Sequence, residues 1–368
     1  MDGFQTLDVA ALETGSTLNL EPYRNTYSPY SSVDTLRPER PADEVLVDAY
    51  YGLAYDAWIR QGGAPYGITS RIPPGPLDAL AAGFLRVPFA RVPRIVVGNR
   101  RSMLQAIDVL RQTYDGLKLL FRGQNREHTL GRDRATLEAL YGEQVVEPSL
   151  LSSAERHGIN IDSVGPAWCG LLRYGLDLWA TARNDRAAFD RVHRAGQDYL
   201  FHHFALALAQ HYGLPSSGLD VTDSIDVALF FALHTFAKHP TDSFASTCSP
   251  VTAGAPVLYV FGTEIDMHYI RFETDVIGSV PESRPARQSA FFLHRGWGLS
   301  RNRSARSLLA ALMLDPTCQY GDLPEVSTLF PGPDEDLFGQ AIAQGRRFLG
   351  SKLPVLGRFL DYFSWVRA

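Results

Sequence analysis

The sequence predicts an α+β protein, because it mixes short, separated strand segments with longer helical segments. The clearest strand is the apolar and aromatic run at 256–262, which is bounded by proline and glycine. The clearest helix covers 101–115, with one apolar face formed by Met103, Ile107, Leu110 and Tyr114. A chain of 368 residues, 45% hydrophobic and 20% charged, is sufficient for a large core.

The segments on either side of that helix have different patterns. Residues 1–44 are rich in Pro, Ser, Thr and Tyr, which indicates an irregular arm. Residues 44–60 carry apolar residues at helical spacing, so we expect a helix there. Gly116 ends the helix at 101–115, and the apolar run 117–121 then predicts a strand.

The middle of the chain combines a long helical region with a short strand. Residues 184–212 are predicted to be helical, and Gly213 stands where a helix-ending glycine is expected. A short strand is expected at 219–222. Asp223 or Ser224 would then cap the helix that follows it.

The C-terminal part is expected to close the fold. A further strand is expected near 288–293, and 334–366 have the pattern of one or two helices. We therefore divide the chain into an N-terminal arm and helical flank (1–104), a central domain (105–310) and a C-terminal helical segment (311–368).

Composition argues against several classes of protein. A net charge of -5 and a pI of about 6.1 give no general attraction to nucleic acid or to an anionic membrane. No segment approaches the roughly 18 uninterrupted apolar residues of a membrane span, and the N-terminal residues are acidic where a signal peptide is basic. The 3 cysteines are far apart, which favours a reducing compartment. We expect a cytoplasmic protein without membrane association.

Familiar catalytic motifs are missing from the sequence. It contains no GxxxxGK[ST], GxSxG or HExxH pattern, and no GxGxxG after a strand. His202 and His203 are adjacent and point to different sides of a helix, and His211 is too far along to join either as a ligand. We therefore expect no metal.

Three polar or flexible residues follow the strand at 117–121, namely Arg122, Gly123 and Gln124. One interpretation is that the strand stops and the chain turns. The other is that Arg122 projects from the strand end into a pocket for an anion, because a guanidinium suits paired hydrogen bonds to phosphate. The local sequence leaves both interpretations open.

Several motifs occur together in one order. They are FRGQ at 121–124, PSL at 148–150, AQHYGLP at 209–215, LDVT at 219–222, ALFFA at 228–232 and RPARQSAFF at 284–292. Over roughly 105–300 the chain resembles the FRG domain, a family of bacterial and phage-related proteins. The family usually has Thr-Arg-Leu-Leu-Asp-Trp-Thr after the Leu-Pro pair, and its Arg and Trp are missing here. Ala290 also replaces a usual glycine.

A more distant similarity links these motifs to arginine-type ADP-ribosyltransferases. It implies a split, curved sheet of short strands, with Arg122 on a first strand and Thr222 on a second. Gln288 stands roughly where those enzymes have a catalytic glutamate. The similarity implies NAD as a substrate and Arg122, Thr222 and Gln288 as catalytic residues.

Other polar residues near these strands are candidates for contacting the dinucleotide. They are Gly123, Gln124, His211, Tyr212 and Asp220. An aromatic ring such as Tyr212 could stack on nicotinamide. Cleavage of the glycosidic bond develops positive charge that a carboxylate stabilises better than an amide, so Gln288 favours slow catalysis, another carboxylate such as Asp220, or binding alone.

Each of these residues also has a structural interpretation. Arg122 could pair with Asp220 and tie two strands together, and Thr222 could be a helix N-cap. His211 and Tyr212 could fill a gap in the core at a helix end. Gln288 could satisfy backbone groups at a strand edge.

Two functions follow from the sequence. The first is an NAD-dependent ADP-ribosyltransferase, acting as a bacterial or phage-related toxin or defence effector on a nucleic acid, a protein or a small molecule. The second is a non-catalytic module that binds a nucleotide-like ligand or a partner protein, such as an antitoxin. Gln288 in place of glutamate favours the second, and the retained Arg122 and Thr222 favour the first.

Overall fold

The structure is a computed structural model of the 368-residue chain. It describes residues 4–7, 45–48, 53–56, 76–87, 90–130, 146–157, 161–182, 184, 186–187, 190, 199–238, 245–263, 269–271, 283–293, 302–332, 335–336, 339, 342 and 365–367. No helix within these ranges is long and apolar enough to cross a membrane.

Strands occur along the whole described chain. They are β1 (Phe4–Leu7), β2 (Val45–Asp48), β3 (Leu53–Asp56), β4 (Gly83–Val87), β5 (Ala90–Val97), β6 (Lys118–Gln124), β7 (Leu219–Thr222), β8 (His234–Lys238), β9 (Ala245–Pro250), β10 (Val257–Thr263), β11 (Tyr269–Arg271), β12 (Ala290–Leu293), β13 (Leu308–Leu314) and β14 (Trp365–Arg367). The helices are α1 (Arg100–Thr113), α2 (Ser153–His157), α3 (Ile161–Ala182), α4 (Tyr199–His211), α5 (Ile225–Leu233), α6 (Arg284–Arg287) and α7 (Val326–Leu329).

The central element is a sheet of 8 strands in the order β11-β12-β7-β6-β10-β13-β5-β4. Its neighbouring strands are antiparallel except β13 and β5, which are parallel. Two smaller sheets, β1-β2-β3 and β14-β9-β8, have 3 strands each. Helices and a mixed sheet give an α+β fold, as the sequence predicts.

Both faces of the central sheet are buried. Along β6, Leu119 and Phe121 face one core cluster, which includes apolar residues of α1 and α5. Leu120 faces a second cluster on the opposite side, together with apolar residues of β4, β7 and β12. This alternation follows from the two-residue period of a strand. β10 is buried along its whole length, because both clusters take residues from it.

Most element predictions are confirmed within the described residues. α1 covers the helix predicted at 101–115, and α4 forms the last part of the helical region predicted at 184–212. Gly213 follows α4 with a φ of 83°, the left-handed conformation that a helix-ending glycine adopts. Ser224, not Asp223, caps α5, and its side chain accepts a hydrogen bond from the Val227 backbone N–H.

The prediction of a helix at 44–60 is wrong. Residues Val45–Asp48 and Leu53–Asp56 are the antiparallel strands β2 and β3, and β1 pairs with β2 on its other side. Strand pairing satisfies the backbone here, and the β-branched and aromatic side chains of these short runs suit strands. Helical spacing over a short apolar run does not distinguish the two structures.

The C-terminal segment also differs in part from its prediction. β14 at Trp365–Arg367 is a strand that pairs in parallel with β9, at the end of a region predicted as helical. Most of 334–366 lies outside the described residues. The central sheet begins at β4 and extends through β13, so it crosses both predicted boundaries of the central domain, at 104/105 and 310/311.

Candidate functional site

The central sheet opens between β6 and β7. These two strands share one paired position, Phe121 with Thr222, whereas β6 pairs with β10 along its full length. The residues that follow Phe121 and precede Thr222 therefore line a split in the sheet. A split of this kind places backbone and side-chain polar groups next to a space that the sheet does not fill.

Gly123 is required by the packing beside this split. A Cβ atom at Gly123 would lie 1.8 Å from the Ala228 backbone oxygen and 2.5 Å from the Ala232 backbone nitrogen. Because real atoms do not approach so closely, β6 and α5 can be in contact only if this residue has no side chain. Gly123 lines the cavity described next, but its lack of a side chain has this structural cause.

A cavity of about 480 Å³ occupies the split. Six of the predicted site residues line it, namely Arg122, Gly123, His211, Asp220, Thr222 and Gln288. The cavity also has an aromatic wall formed by Phe121, Phe231, Phe236 and Phe330. Its volume and its mixture of apolar wall and few polar groups are typical of small-molecule sites.

Arg122 is fixed to the neighbouring strand. Its Nη1 donates a hydrogen bond of 2.6 Å to the backbone oxygen of Asp220. Its Nε is buried and has no hydrogen-bond acceptor among the described residues. The structural interpretation therefore holds for one part of the guanidinium, which contacts the backbone and not the carboxylate of Asp220. The Nε–H donor is not used by any described residue.

Thr222 and Gln288 hold backbone segments together. The Thr222 hydroxyl donates to the Gln288 backbone oxygen at 2.8 Å and accepts from the Ser224 backbone N–H at 3.0 Å. The Gln288 side chain donates from Nε2 to the Leu329 backbone oxygen at 3.1 Å. Thr222 is not the N-cap of α5, because Ser224 takes that role.

His211 and Asp220 lie together at the cavity wall. His211 Nε2 is 3.5 Å from Asp220 Oδ1. Burial lowers the pKa of His211, and the nearby carboxylate of Asp220 opposes this shift in part. His211 is therefore neutral at neutral pH. Asp220 is the one carboxylate among the described lining residues.

Two predicted contact residues do not line the cavity. Tyr212 is 0% exposed, and its hydroxyl lies 3.0 and 3.2 Å from the two carboxylate oxygens of Asp336. This position agrees with a core role rather than with stacking on a ligand. Gln124 ends β6 opposite Val257, and its Oε1 is buried without a hydrogen-bond donor among the described residues.

The described cavity wall carries net positive charge. Arg122, Arg156 and Arg284 line it against the single carboxylate of Asp220. Burial lowers the pKa of Arg122 to about 10, with Asp220 opposing the shift and Arg156 adding to it. Arg122 therefore keeps its charge at neutral pH. Such a wall favours an anionic ligand.

Sequence reasoning missed several lining residues. Arg284 lies four positions before Gln288 in the RPARQ motif, so the motif itself was the signal for it. Phe231 belongs to the ALFFA motif, and it is half-buried at the cavity wall. No local sequence pattern marks the other lining residues as part of a site, because only folding brings them to the split. They are Arg156 on α2, Phe236 and Phe330.

Comparison with known proteins gave one match. The family model described as FRG domain matches residues 118–241, which run from β6 beyond β8. Neither the curated proteins nor the solved structures gave a match. The matched range holds Arg122, Gly123, His211, Asp220 and Thr222, whereas Arg284 and Gln288 follow it. No comparison supports the distant similarity to ADP-ribosyltransferases. Over residues 118–241, the chain is similar to the FRG domain.

Proposed function

We propose that the cavity binds a nucleotide-like anion, with Arg122 contacting a phosphoryl group. The observation that carries this proposal is the composition of the described cavity lining, which combines 3 arginines and 1 carboxylate with four phenylalanines. Arginine suits phosphate because its planar donors match phosphate oxygens. Phe231 and Phe236 offer ring faces to a base, and stacking on an aromatic ring tolerates any base.

The observed hydrogen bonds favour a binding function over catalysis by Arg122, Thr222 and Gln288. The Thr222 hydroxyl already has one donor and one acceptor, and the Gln288 amide already donates to Leu329. Of the three residues predicted to be catalytic, Arg122 alone has an unused buried donor among the described residues. That donor is the group through which we expect the ligand to be held.

A second candidate is NAD-dependent ADP-ribosyl transfer, and the partly exposed carboxylate of Asp220 at the cavity wall favours it. Cleavage of the bond between nicotinamide and ribose leaves the bonding electrons on nicotinamide and positive charge on the ribose. The negative carboxylate of Asp220 would stabilise that charge, whereas the amide of Gln288 is neutral and would not. An acceptor nucleophile or water would then bond to the ribose carbon and lose its proton. The acceptor could be a nucleic acid, a protein or a small molecule.

This second candidate would make the protein a bacterial toxin or a defence effector against phage. It draws on the resemblance of Arg122 and Thr222 to the first two motifs of arginine-type ADP-ribosyltransferases. A partner protein that blocks the cavity, such as an antitoxin, would belong to this function. The cytoplasm supplies NAD, which agrees with the cytoplasmic location expected from the cysteine content.

Calorimetry with purified full chain tests the first proposal. AMP, ADP-ribose and NAD are titrated into wild type, Arg122→Met and the control Arg111→Met. Arg111 is half-exposed on α1 and pairs with Asp108. We expect binding to wild type and to the control, and about a tenfold or larger loss in Arg122→Met, because a charge-assisted bidentate contact is removed. Absence of nucleotide binding to folded wild type would overturn the proposal.

Nicotinamide release separates the two candidates. Wild type and Asp220→Asn are incubated with NAD, and free nicotinamide is measured by chromatography. Release by wild type that falls at least about a hundredfold in Asp220→Asn would support transfer or hydrolysis. Nucleotide binding without release, even with cell extract added as a source of acceptors, would leave binding as the function.

A further inference from the structure

Arg284 is a buried arginine that the cavity wall shares with Arg122. Its side chain belongs to α6, whose N-cap is Ser283, and only 5% of the residue is exposed. Its Nη1 donates to the His211 backbone oxygen at 2.5 Å. The guanidinium lies 5.2 Å from the Tyr212 ring centre and 5.4 Å from that of Phe330. These contacts fix its position in the absence of a ligand.

The unused donors of Arg284 are on one edge of the guanidinium. Nε and Nη2 are both buried and have no acceptor among the described residues. In an arginine side chain the Nε–H and one Nη2–H point the same way, which is the arrangement that holds two oxygens of one phosphate or carboxylate. Leaving such donors unpaired in a buried position is costly unless a ligand or water accepts from them.

The nearby carboxylates of Asp336 and Asp220 accept no hydrogen bond from Nε or Nη2 of Arg284. Asp336 accepts hydrogen bonds from the Tyr212 hydroxyl and from the Gly339 backbone N–H, the latter at 2.9 Å, and makes none with Arg284. Asp220 Oδ1 faces His211 Nε2 at 3.5 Å. Burial lowers the pKa of Arg284, and Tyr212, Asp336 and Asp220 oppose this shift in part. An arginine side chain keeps its proton in proteins, so the guanidinium is charged while Nε and Nη2 have no acceptor among the described residues.

Arg122 and Arg284 are connected through three short contacts, by way of Asp220 and His211. Arg122 contacts the backbone of Asp220 at 2.6 Å, Asp220 lies 3.5 Å from His211, and the His211 backbone contacts Arg284 at 2.5 Å. Both arginines line the same cavity and each keeps a buried, unused Nε. One guanidinium is therefore held on β6 and the other on α6, and both line the same cavity.

We propose that Arg284 is a second phosphate-binding residue and that the cavity selects ligands with two linked phosphoryl groups, one held by each arginine. The ligand class is a nucleoside diphosphate or a dinucleotide joined through a pyrophosphate. The proposal rests on the proposed nucleotide-binding function and narrows it. Selection follows because a monophosphate leaves one buried guanidinium edge without an acceptor.

Calorimetry with inorganic phosphate and inorganic pyrophosphate tests this inference without involving a base. Wild type is compared with Arg284→Lys, which keeps a charge but loses the planar edge, and with Arg287→Lys as the matched control. Arg287 lies on the same short helix, and its contacts are the Ser327 backbone oxygen and Glu335, outside the described cavity lining. We expect wild type to bind pyrophosphate at least about tenfold more tightly than phosphate.

The variants should separate the two arginines on α6. In Arg284→Lys the preference for pyrophosphate should disappear, with a loss of about tenfold or more in pyrophosphate affinity, and Arg287→Lys should behave as wild type. If Arg284→Lys does not fold, Arg284→Met, which places an apolar chain of similar length at this position, is measured instead. Equal affinity of wild type for phosphate and pyrophosphate would overturn the inference whatever the variants do.

Titration of AMP, ADP-ribose and NAD into the same variants distinguishes this inference from the proposed function. Pyrophosphate binding that depends on Arg284, with no gain from an attached nucleoside, would support the two-phosphate site and contradict nucleotide recognition. Nucleotide binding that is unchanged in Arg284→Lys and in Arg284→Met would support the function and make Arg284 a structural residue only.

Discussion

Arg122 on β6 donates a hydrogen bond to the backbone oxygen of Asp220 on β7, 2.6 Å away. The two strands share a single paired position, Phe121 with Thr222, so this side chain continues a connection that the backbone does not make. The arginine thus holds the sheet together at the point where it opens. A structural role and a ligand role coexist in one side chain, because a guanidinium has five N–H donors and this bond uses one.

The first prediction concerns stability at this opening. Arg122→Met should lower the free energy of unfolding by about 1–3 kcal/mol, because the partly buried Asp220 carbonyl loses this donor. Urea unfolding followed by circular dichroism measures the change, with Arg111→Met as the exposed control, expected within about 0.5 kcal/mol of wild type. Equal stability of Arg122→Met and wild type would show that the bond adds nothing to the sheet.

The second prediction separates the two roles of Gly123. Gly123→Ala places a methyl group 1.8 Å from the Ala228 backbone oxygen, so β6 and α5 must move apart. We expect a loss of about 3 kcal/mol or more, measured by urea unfolding. Gly170→Ala is the matched control, since no described atom outside the neighbouring backbone of α3 lies within 4 Å of the added Cβ. It should be neutral or stabilising by up to about 1 kcal/mol.

If Gly123 instead serves only to admit a ligand to the backbone, the result differs. Gly123→Ala would then be as stable as wild type and would lose nucleotide binding alone. That outcome would contradict the packing explanation of the Phe-Arg-Gly motif.

The third prediction concerns pH. Burial lowers the pKa of His211 below its ordinary value of 6.5, so the unfolded chain binds a proton more readily than the folded one. Its contribution to stability is therefore present above pH 6.5 and is lost as the pH falls from there toward the folded pKa. Between pH 7.5 and pH 5.5, His211→Gln should lose less stability than wild type does. These two values lie about one unit above and below the ordinary pKa of histidine.

The comparison with the variant isolates His211 from other shifted groups. Burial raises the pKa values of Glu127 and Asp336, whose effect on stability has the opposite sign, and lowers that of His128. These groups are present in both proteins and cancel in the difference. Parallel curves for wild type and His211→Gln would mean that His211 titrates alike in the folded and unfolded states.

The fourth prediction concerns Asn302, which is 0% exposed and has a φ of 59°. Its side chain donates to the Pro148 backbone oxygen at 2.8 Å and to Glu147 at 3.0 Å, and accepts from the Leu150 backbone N–H at 2.8 Å. Asn302→Gly keeps the backbone conformation available but removes all three bonds, so we expect a loss of about 2–4 kcal/mol.

Thermal unfolding of Asn302→Gly is compared with that of Asn184→Gly. Asn184 is exposed and has a similar φ of 51°, so its replacement by glycine tests the same backbone conformation without the buried bonds. The control should stay within about 0.5 kcal/mol of wild type. If both variants lose the same stability, the effect lies in the backbone and not in the link to the PSL motif at 148–150.

The sequence predicted the elements that carry strong local patterns. The buried strand β10, the amphipathic helix α1 and the capped helix α5 follow from side-chain periodicity and from Ser224, which are properties of neighbouring residues. It predicted a helix where β2 and β3 form, because short apolar runs fit either structure until a partner strand is available. The order of several short motifs along the chain also indicated the resemblance to the FRG domain, and the family-model match at 118–241 supports it.

The site itself depends on contacts between residues far apart in the chain. Sequence motifs pointed to Arg122 and Asp220, but only the fold shows that the arginine bonds to the backbone oxygen and not to the carboxylate. Tyr212 looked suited to stacking on a ligand, and burial against Asp336 removes it from the cavity wall. The RPARQ motif contains Arg284, but only the fold shows that its Nε and Nη2 are buried and have no acceptor among the described residues. Side-chain type is fixed by the sequence, whereas burial and hydrogen-bond partners depend on tertiary packing.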